Sequence, residues 1–186
     1  MIGYAFCGSF CTLSASIEIL RKLSKSERDI LPIMSDAVYS TDTRFWQAEH
    51  FRHEVTEICK REPIHTIKDA EPLGPKTKLD ALIIAPCTGN TLAKLANGIT
   101  DTPVTMAAKA HLRSDRPLLI ALASNDALSA NLKNLATMLS RKSVYFVPML
   151  QDDPKNKPHS LVCNFDLLEL SYEKMKLSEQ VTPLFL

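Results

Sequence analysis

A chain of 186 residues, 45 % hydrophobic and 23 % charged, has the length of one domain and ample apolar material for a core. Its formal net charge of +1 excludes the basic footprint of a nucleic-acid binder. No apolar run approaches the roughly 20 residues that cross a bilayer, which argues against a membrane protein.

The N-terminus, Met1-Ile2-Gly3-Tyr4-Ala5-Phe6, lacks a basic region and turns polar by Ser9, so it does not read as a signal peptide. Its apolar run, Ile2 to Phe6, predicts a first strand. The small residues Gly8 and Ser9 then predict a turn, and the spacing over 17–23 predicts a helix whose charged face carries Glu18, Arg21 and Lys22. Ile30 to Met34 predicts a second strand, and 45–60 an amphipathic helix with Trp46, Phe51, Val55 and Ile58 on its apolar side. A short extra strand is expected at 64–67, before the turn-rich Pro72-Leu73-Gly74-Pro75.

Residues 79–85 are apolar except for Asp80, the pattern of a strand covered on both faces. A polar loop, Pro86-Cys87-Thr88-Gly89-Asn90-Thr91, is expected after it, then helices over 92–99 and 104–112. A buried strand at 118–123, a helix over 126–140, a strand at 144–147 and a closing helix over 161–175 complete the pattern. The polar stretch from Gln151 to Pro158 reads as a connector. Strands alternating with helices predict one α/β domain over 1–186 with a mostly parallel, doubly wound sheet.

Ligands of such sheets bind beyond the carboxyl ends of the strands. Four of those ends are rich in hydroxyl, amide and glycine residues. The first has Gly8, Ser9 and Thr12; the second has Ser35 and then Ser40-Thr41-Asp42-Thr43-Arg44. The third has Cys87, Thr88, Gly89, Asn90 and Thr91; the fourth has Ser124, Asn125 and Asp126. Each set alone is what helix N-caps use. Their convergence suits a phosphate, which glycine admits and which hydroxyls and free helix N–H groups bind. No GxGxxG follows the first strand and no P-loop lysine is present, so neither a Rossmann dinucleotide site nor a Walker site is indicated.

The five cysteines, Cys7, Cys11, Cys59, Cys87 and Cys163, are odd in number and match no zinc-ligand spacing, so no metal is expected. Reduced thiols in a cytoplasmic protein are the natural reading. Cys87, near a helix N-terminus, is either an activated thiol or a residue chosen for its small size. His50, His53, His65, His111 and His159 are scattered, and most read as surface residues. Arg44 and Arg113 suit a carboxylate substrate through bidentate pairing, or else surface ion pairs.

The string Ala85-Pro86-Cys87-Thr88-Gly89-Asn90-Thr91-Leu92-Ala93-Lys94-Leu95-Ala96-Asn97-Gly98-Ile99-Thr100-Asp101 resembles the PASANT-type motif of the flavoprotein family. That family includes phosphopantothenoylcysteine and lantibiotic-precursor cysteine decarboxylases and flavin prenyltransferases. The resemblance implies a flavodoxin-like three-layer fold and FMN bound between subunits of a homo-oligomer. The implied FMN contacts are Gly8, Ser9, Phe10, Ser35, Pro86, Cys87, Thr88, Gly89, Asn90, Thr91, Met106 and Asn125.

Longer strings resemble, within that group, the B-type subunits of dipicolinate synthases. They include Gly8-Ser9-Phe10-Cys11-Thr12, Met106-Ala107-Ala108-Lys109-Ala110-His111-Leu112-Arg113 and Lys157-Pro158-His159-Ser160-Leu161-Val162. This implies oxidation of a dihydrodipicolinate-like diacid to dipicolinate during sporulation, in the mother-cell cytoplasm, with an NADP-binding A-type subunit as partner. Arg44, Lys76 or Arg113 would hold the substrate carboxylates. A non-catalytic stabilising subunit, or a different FMN-binding flavoprotein, is the alternative. Pro72-Leu73-Gly74-Pro75 fills the region where the cysteine decarboxylases carry a catalytic histidine, so decarboxylation is disfavoured.

Overall fold

Every residue except Arg28 and Pro75 is described by the computed structural model; Pro75, within the expected turn, lies outside the described residues. The chain opens with β1 (Ile2–Phe6), α1 (Leu13–Ser26), β2 (Ile30–Met34), α2 (Asp36–Ser40), α3 (Ala48–Cys59) and α4 (Ile67–Ala70). It continues through β3 (Ala81–Thr88), α5 (Gly89–Ala96), α6 (Pro103–Leu112), β4 (Leu118–Ser124) and α7 (Leu132–Leu139). It closes with β5 (Val144–Phe146), β6 (Met149–Leu150), β7 (Leu161–Cys163) and α8 (Leu168–Lys176). Among the described residues no helix is long and apolar enough to cross a membrane.

The seven strands form one sheet in the order β2-β1-β3-β4-β7-β6, with β5 also paired to β4. Pairings among β1 to β5 are parallel, whereas β7 runs antiparallel to both β4 and β6. The alternation along each central strand feeds two cores. Ile2, Tyr4 and Phe6 of β1 with Ala81, Ile83 and Ala85 of β3 meet Ile17 and Leu20 of α1, Phe51 of α3 and Tyr172 of α8. Ala5, Leu82, Ile84 and Ile120 face the other way, toward Leu92 of α5, Ala107 and Ala108 of α6 and Leu135 of α7. This is the three-layer α/β arrangement expected of strands that are apolar on both sides.

One irregularity shapes the site. The β3–β4 register shifts between Ile84 and Cys87, so β3 gains a residue at Pro86, which has no N–H for the ladder. The extra residue breaks the alternation: Ala85 belongs to the α1-side core and Cys87 to the α5-side core.

Several expected elements differ. Residues 64–67 are not a strand; Ile64 makes one bridge to Ile33, and Ile67 opens α4. Helix α3 starts only at Ala48, because Thr43 Oγ1 accepts from the N–H of Phe45 and of Trp46 (3.2 Å each) and holds a turn. Asp42 Oδ1 then accepts the Ala48 N–H at 2.8 Å. The expected helix over 126–140 is confined to α7, since Asp126 gathers the turn before it through its carbonyl and carboxylate. Short polar side chains compete in this way with helical hydrogen bonding. The expected closing helix divides into β7, a 3₁₀ turn at Phe165–Leu167, and α8.

Candidate functional site

Strand order reverses between β1 and β3, because the chain passes outward to β2 and then returns to pair β3 on the other side of β1. This is the switch point at which open α/β sheets leave a crevice. Beyond β1 the chain turns through Gly8 and Ser9. Ser9 N–H donates to Cys7 O at 2.8 Å, and Thr12 Oγ1 donates to Ser9 O and Oγ at 2.9 and 3.0 Å. A Cβ on Gly8 would lie 3.4 Å from that of Ala37 and 3.6 Å from the Phe10 ring, so neither neighbour would be driven far aside.

Beyond β3 there is no loop. Pro86, Cys87 and Thr88 are strand residues, and Gly89 opens α5 directly. Thr88 is its N-cap: Thr88 Oγ1 accepts the Thr91 N–H at 3.2 Å. Thr88 also donates to Thr91 Oγ1 at 3.1 Å, and Thr91 donates to Cys7 Sγ at 3.3 Å, joining the ends of β1 and β3. Gly89 is sterically required: a Cβ there would collide with Ser124 Oγ and lie 2.8 Å from Asn131 Nδ2 and Asp126 Oδ1. Those groups belong to a polar chain. Ser124 donates to Asp126 at 2.5 Å, Asn131 to both Asp126 oxygens at 2.9 Å, Asn134 to Asn131 at 2.9 Å and Asn97 to Asn134 at 3.2 Å. The Ser124 and Asn131 donors hold the Asp126 carboxyl below the usual range against some desolvation.

Two hollows flank this ridge and share Gly8, Thr88 and Asn90 as a common wall. The larger, about 650 Å³, runs from Ser9, Cys11 and Thr12 across Gly89 to Ser124–Asp126, and is closed by Asp152, Lys157, Ser160 and Val162. The smaller, about 380 Å³, is bounded by Ser35, Asp36, Ala37, Thr91 and Thr102. Ser35 Oγ is buried and makes no hydrogen bond among the described residues. Leaving a buried hydroxyl unpaired costs about 1–3 kcal/mol, so this atom marks a place for an acceptor.

Of the twelve residues implied as FMN contacts, Gly8, Ser9, Thr88, Gly89, Asn90 and Asn125 line the larger hollow, while Ser35 and Thr91 line the smaller. Pro86 and Cys87 line neither; both are buried within β3. Burial pushes the Cys87 thiol well above its ordinary pKa, which outweighs any help from the helix terminus and removes it as a nucleophile. Phe10 packs half-buried against the α1-side core. Met106 sits on α6 beside a separate small hollow that also contains Glu71, Lys109 and Arg113.

The three cations expected to hold carboxylates are exposed, and none lines either hollow of its own chain. Arg44 lies over the Phe45 ring, 4.8 Å from its centroid. Among the described residues no histidine lines either hollow, and His111 is buried rather than on the surface, with Nε2 2.9 Å from Pro117 O. Cys11, Asp152, Lys157 and Ser160 were not among the expected site residues. The paired charges of Asp152 and Lys157 in the 151–158 stretch are the signal that distinguishes it from a bland connector.

A flavodoxin-like sheet with this crevice and this glycine- and hydroxyl-rich ridge defines a class, and the chain belongs to the Flavoprotein family, whose sequence model matches residues 1–182. Within it, the chain is 41 % identical over 183 residues to the B-type subunit of dipicolinate synthase from Bacillus subtilis, a match that covers 98 % of this chain and 92 % of that protein. The crystal structure of the B-type subunit of dipicolinate synthase from Bacillus halodurans superposes with a TM-score of 0.91 at 34 % identity, over 100 % of this chain and 95 % of that one. The FMN-dependent cysteine decarboxylase SpaF shares the fold, with a TM-score of 0.71 at 20 % identity over 95 % of each chain.

Proposed function

We propose that this chain is a B-type subunit of a dipicolinate synthase. With an NADP-binding A-type partner it oxidises dihydrodipicolinate to dipicolinate, in the mother-cell cytoplasm of a sporulating bacterium. The observation that carries this reading is the likeness to the B-type subunits, which covers 98 % of this chain in sequence and 100 % of it in structure.

The residues at the ridge fit FMN. The unpaired Ser35 Oγ would donate to a phosphate oxygen, Gly8 would admit the group closely, and the α5 N–H groups of Gly89 and Asn90 have no partner within their helix. FMN, when bound, supplies a hydride acceptor. This chain's own residues bind and orient: Ser9, Thr12 and Ser124 line the larger hollow, where a small diacid would sit. Arg44, Lys76 and Arg113 would act on a site only across an interface with a second copy, in the homo-oligomer proposed here.

A second reading has one observation in its favour. With no histidine among the described residues of either hollow, a proton leaving the ring goes to Asp126, Asp152, solvent or the partner subunit. A subunit that holds substrate for chemistry on its partner fits that arrangement as well. Reconstitution of the two subunits with substrate, NADP and FMN, omitting each in turn, separates the readings. Loss of dipicolinate formation without this chain, and again without FMN, is expected. Full activity from the A-type subunit alone would make this chain accessory. Asn90→Ala is expected to abolish FMN retention by the purified chain; unchanged retention would remove the flavin from the proposal.

A further inference from the structure

The described lining of the larger hollow contains two carboxylates and one cation: Asp126, Asp152 and Lys157. Asp126 already receives hydrogen bonds from Ser124 and Asn131. Asp152 receives one from Lys157 Nζ at 2.8 Å. An ammonium carries three donor hydrogens, and this pair engages one of them. The Lys157 side chain is 54 % exposed, so its charge is accessible from the hollow.

The loop that carries it is braced. Lys157 N–H donates to Asp153 O at 2.7 Å, and Ser160 N–H to Lys157 O at 3.1 Å. Asn156 Nδ2 donates to both Asp153 carboxylate oxygens at 3.1 and 3.0 Å, and Gln151 Nε2 to Pro158 O at 2.9 Å. The loop that presents the ammonium is therefore a braced wall of the hollow that Ser9 and Thr12 also line, and not a free tail.

We infer that Lys157 is the carboxylate anchor of the larger hollow, the residue that makes it prefer a dicarboxylate to the corresponding monoacid. The inference rests on the reading above that the substrate is a small cyclic diacid. Asp152 then has a definite part. It partners the ammonium in the free protein, and its negative charge opposes an incoming carboxylate. The two members of the pair must therefore act with opposite signs on ligand affinity, which a purely structural ion pair would not do.

The test uses the intact two-subunit synthase, with dipicolinate and picolinate (the same ring with one carboxylate fewer) as competitive inhibitors. Lys157→Gln is expected to raise the dipicolinate Ki roughly 10- to 100-fold, the scale of a charge-assisted hydrogen bond, while changing picolinate far less. Lys157→Arg should keep most of the diacid preference, and Asp152→Asn should lower the dipicolinate Ki. A preference for the diacid that survives in Lys157→Gln overturns the inference, as does weakening by Lys157→Gln and Asp152→Asn alike. If the wild-type assembly forms no dipicolinate, the functional reading itself fails and the inference falls with it. Turnover with unchanged discrimination in Lys157→Gln sinks the anchor alone.

Discussion

At the scale of single residues, surroundings decide what each thiol can do. Burial pushes Cys7 up to about 11 and Cys59 up to about 12, and raises Cys87 and Cys163 as well. Cys11 is exposed on the wall of the larger hollow. Because the thiolate is the reactive form, alkylation of the native protein near neutral pH should label Cys11 first. Cys7, Cys87 and Cys163, which are buried, should react appreciably only after denaturation; peptide mass mapping showing Cys87 modified as fast as Cys11 would contradict its burial. Gly8 and Gly89 teach a related lesson. Both flank polar residues in the sequence, and both were expected to serve a ligand. Only Gly89 is demanded by the protein's own packing, because Ser124, Asp126 and Asn131 fill the space where its side chain would be. No local pattern reveals that crowding, since its three neighbours come from a distant stretch of the chain.

At the scale of elements, the parallel part of the sheet was legible because β1, β2, β3 and β4 are apolar nearly throughout and long enough to declare themselves. The antiparallel edge was not. β6 and β7 have two and three residues, too few to set a period, and they are strands only because they find partners. The same edge depends on the last residues of the chain. Met149 N–H donates to Leu184 O at 2.8 Å and Leu186 N–H to Met149 O at 2.9 Å. The Gln180 side chain bonds both the N–H and the carbonyl of Phe146, at 2.9 and 2.7 Å. Removing residues 179–186 forfeits these bonds, each contributing about 0.5–1.5 kcal/mol. A fall in Tm on the order of 5–10 °C is expected, given about 2–4 °C per kcal/mol for a chain of this size. Thermal unfolding followed by circular dichroism checks it, and an unchanged Tm would show that the segment only lies against the edge.

At the scale of the whole molecule, the candidate site exists because strand order brings the ends of β1, β3 and β4 side by side and β7 folds the 151–160 loop over them. A ligand seated there touches elements from across the chain and binds only when they are assembled. Such a ligand at a hundredfold excess over its Kd stabilises the native state by about 2.7 kcal/mol. Under those conditions FMN should raise the Tm by roughly 5–10 °C, and Asn90→Ala should lose the rise. A Tm indifferent to FMN in the wild-type chain would count against the flavin part of the proposed function.

The division between sequence and tertiary structure follows from range. Local order alone placed Gly8, Ser9, Ser35, Thr88, Asn90 and Asn125 at strand ends, and strand ends in a parallel sheet point to one side, so the sequence could gather these residues at one edge of the sheet, where they line the two adjoining hollows. The mostly parallel, doubly wound sheet was equally local, written in apolar strands alternating with helices, while the flavodoxin-like class came from the motif that runs from β3 into α5. Three things waited for the fold. The loop expected from Pro86 to Thr91 proved to be a strand running directly into a helix, with an added residue at Pro86 turning Cys87 into the core. Arg44, Lys76 and Arg113 carry the right charge but lie outside both hollows, because charge says nothing about which face a helix or loop presents. Lys157 carries the same charge and reaches the larger hollow, since the antiparallel return through β7 sets its loop against the turn after β1.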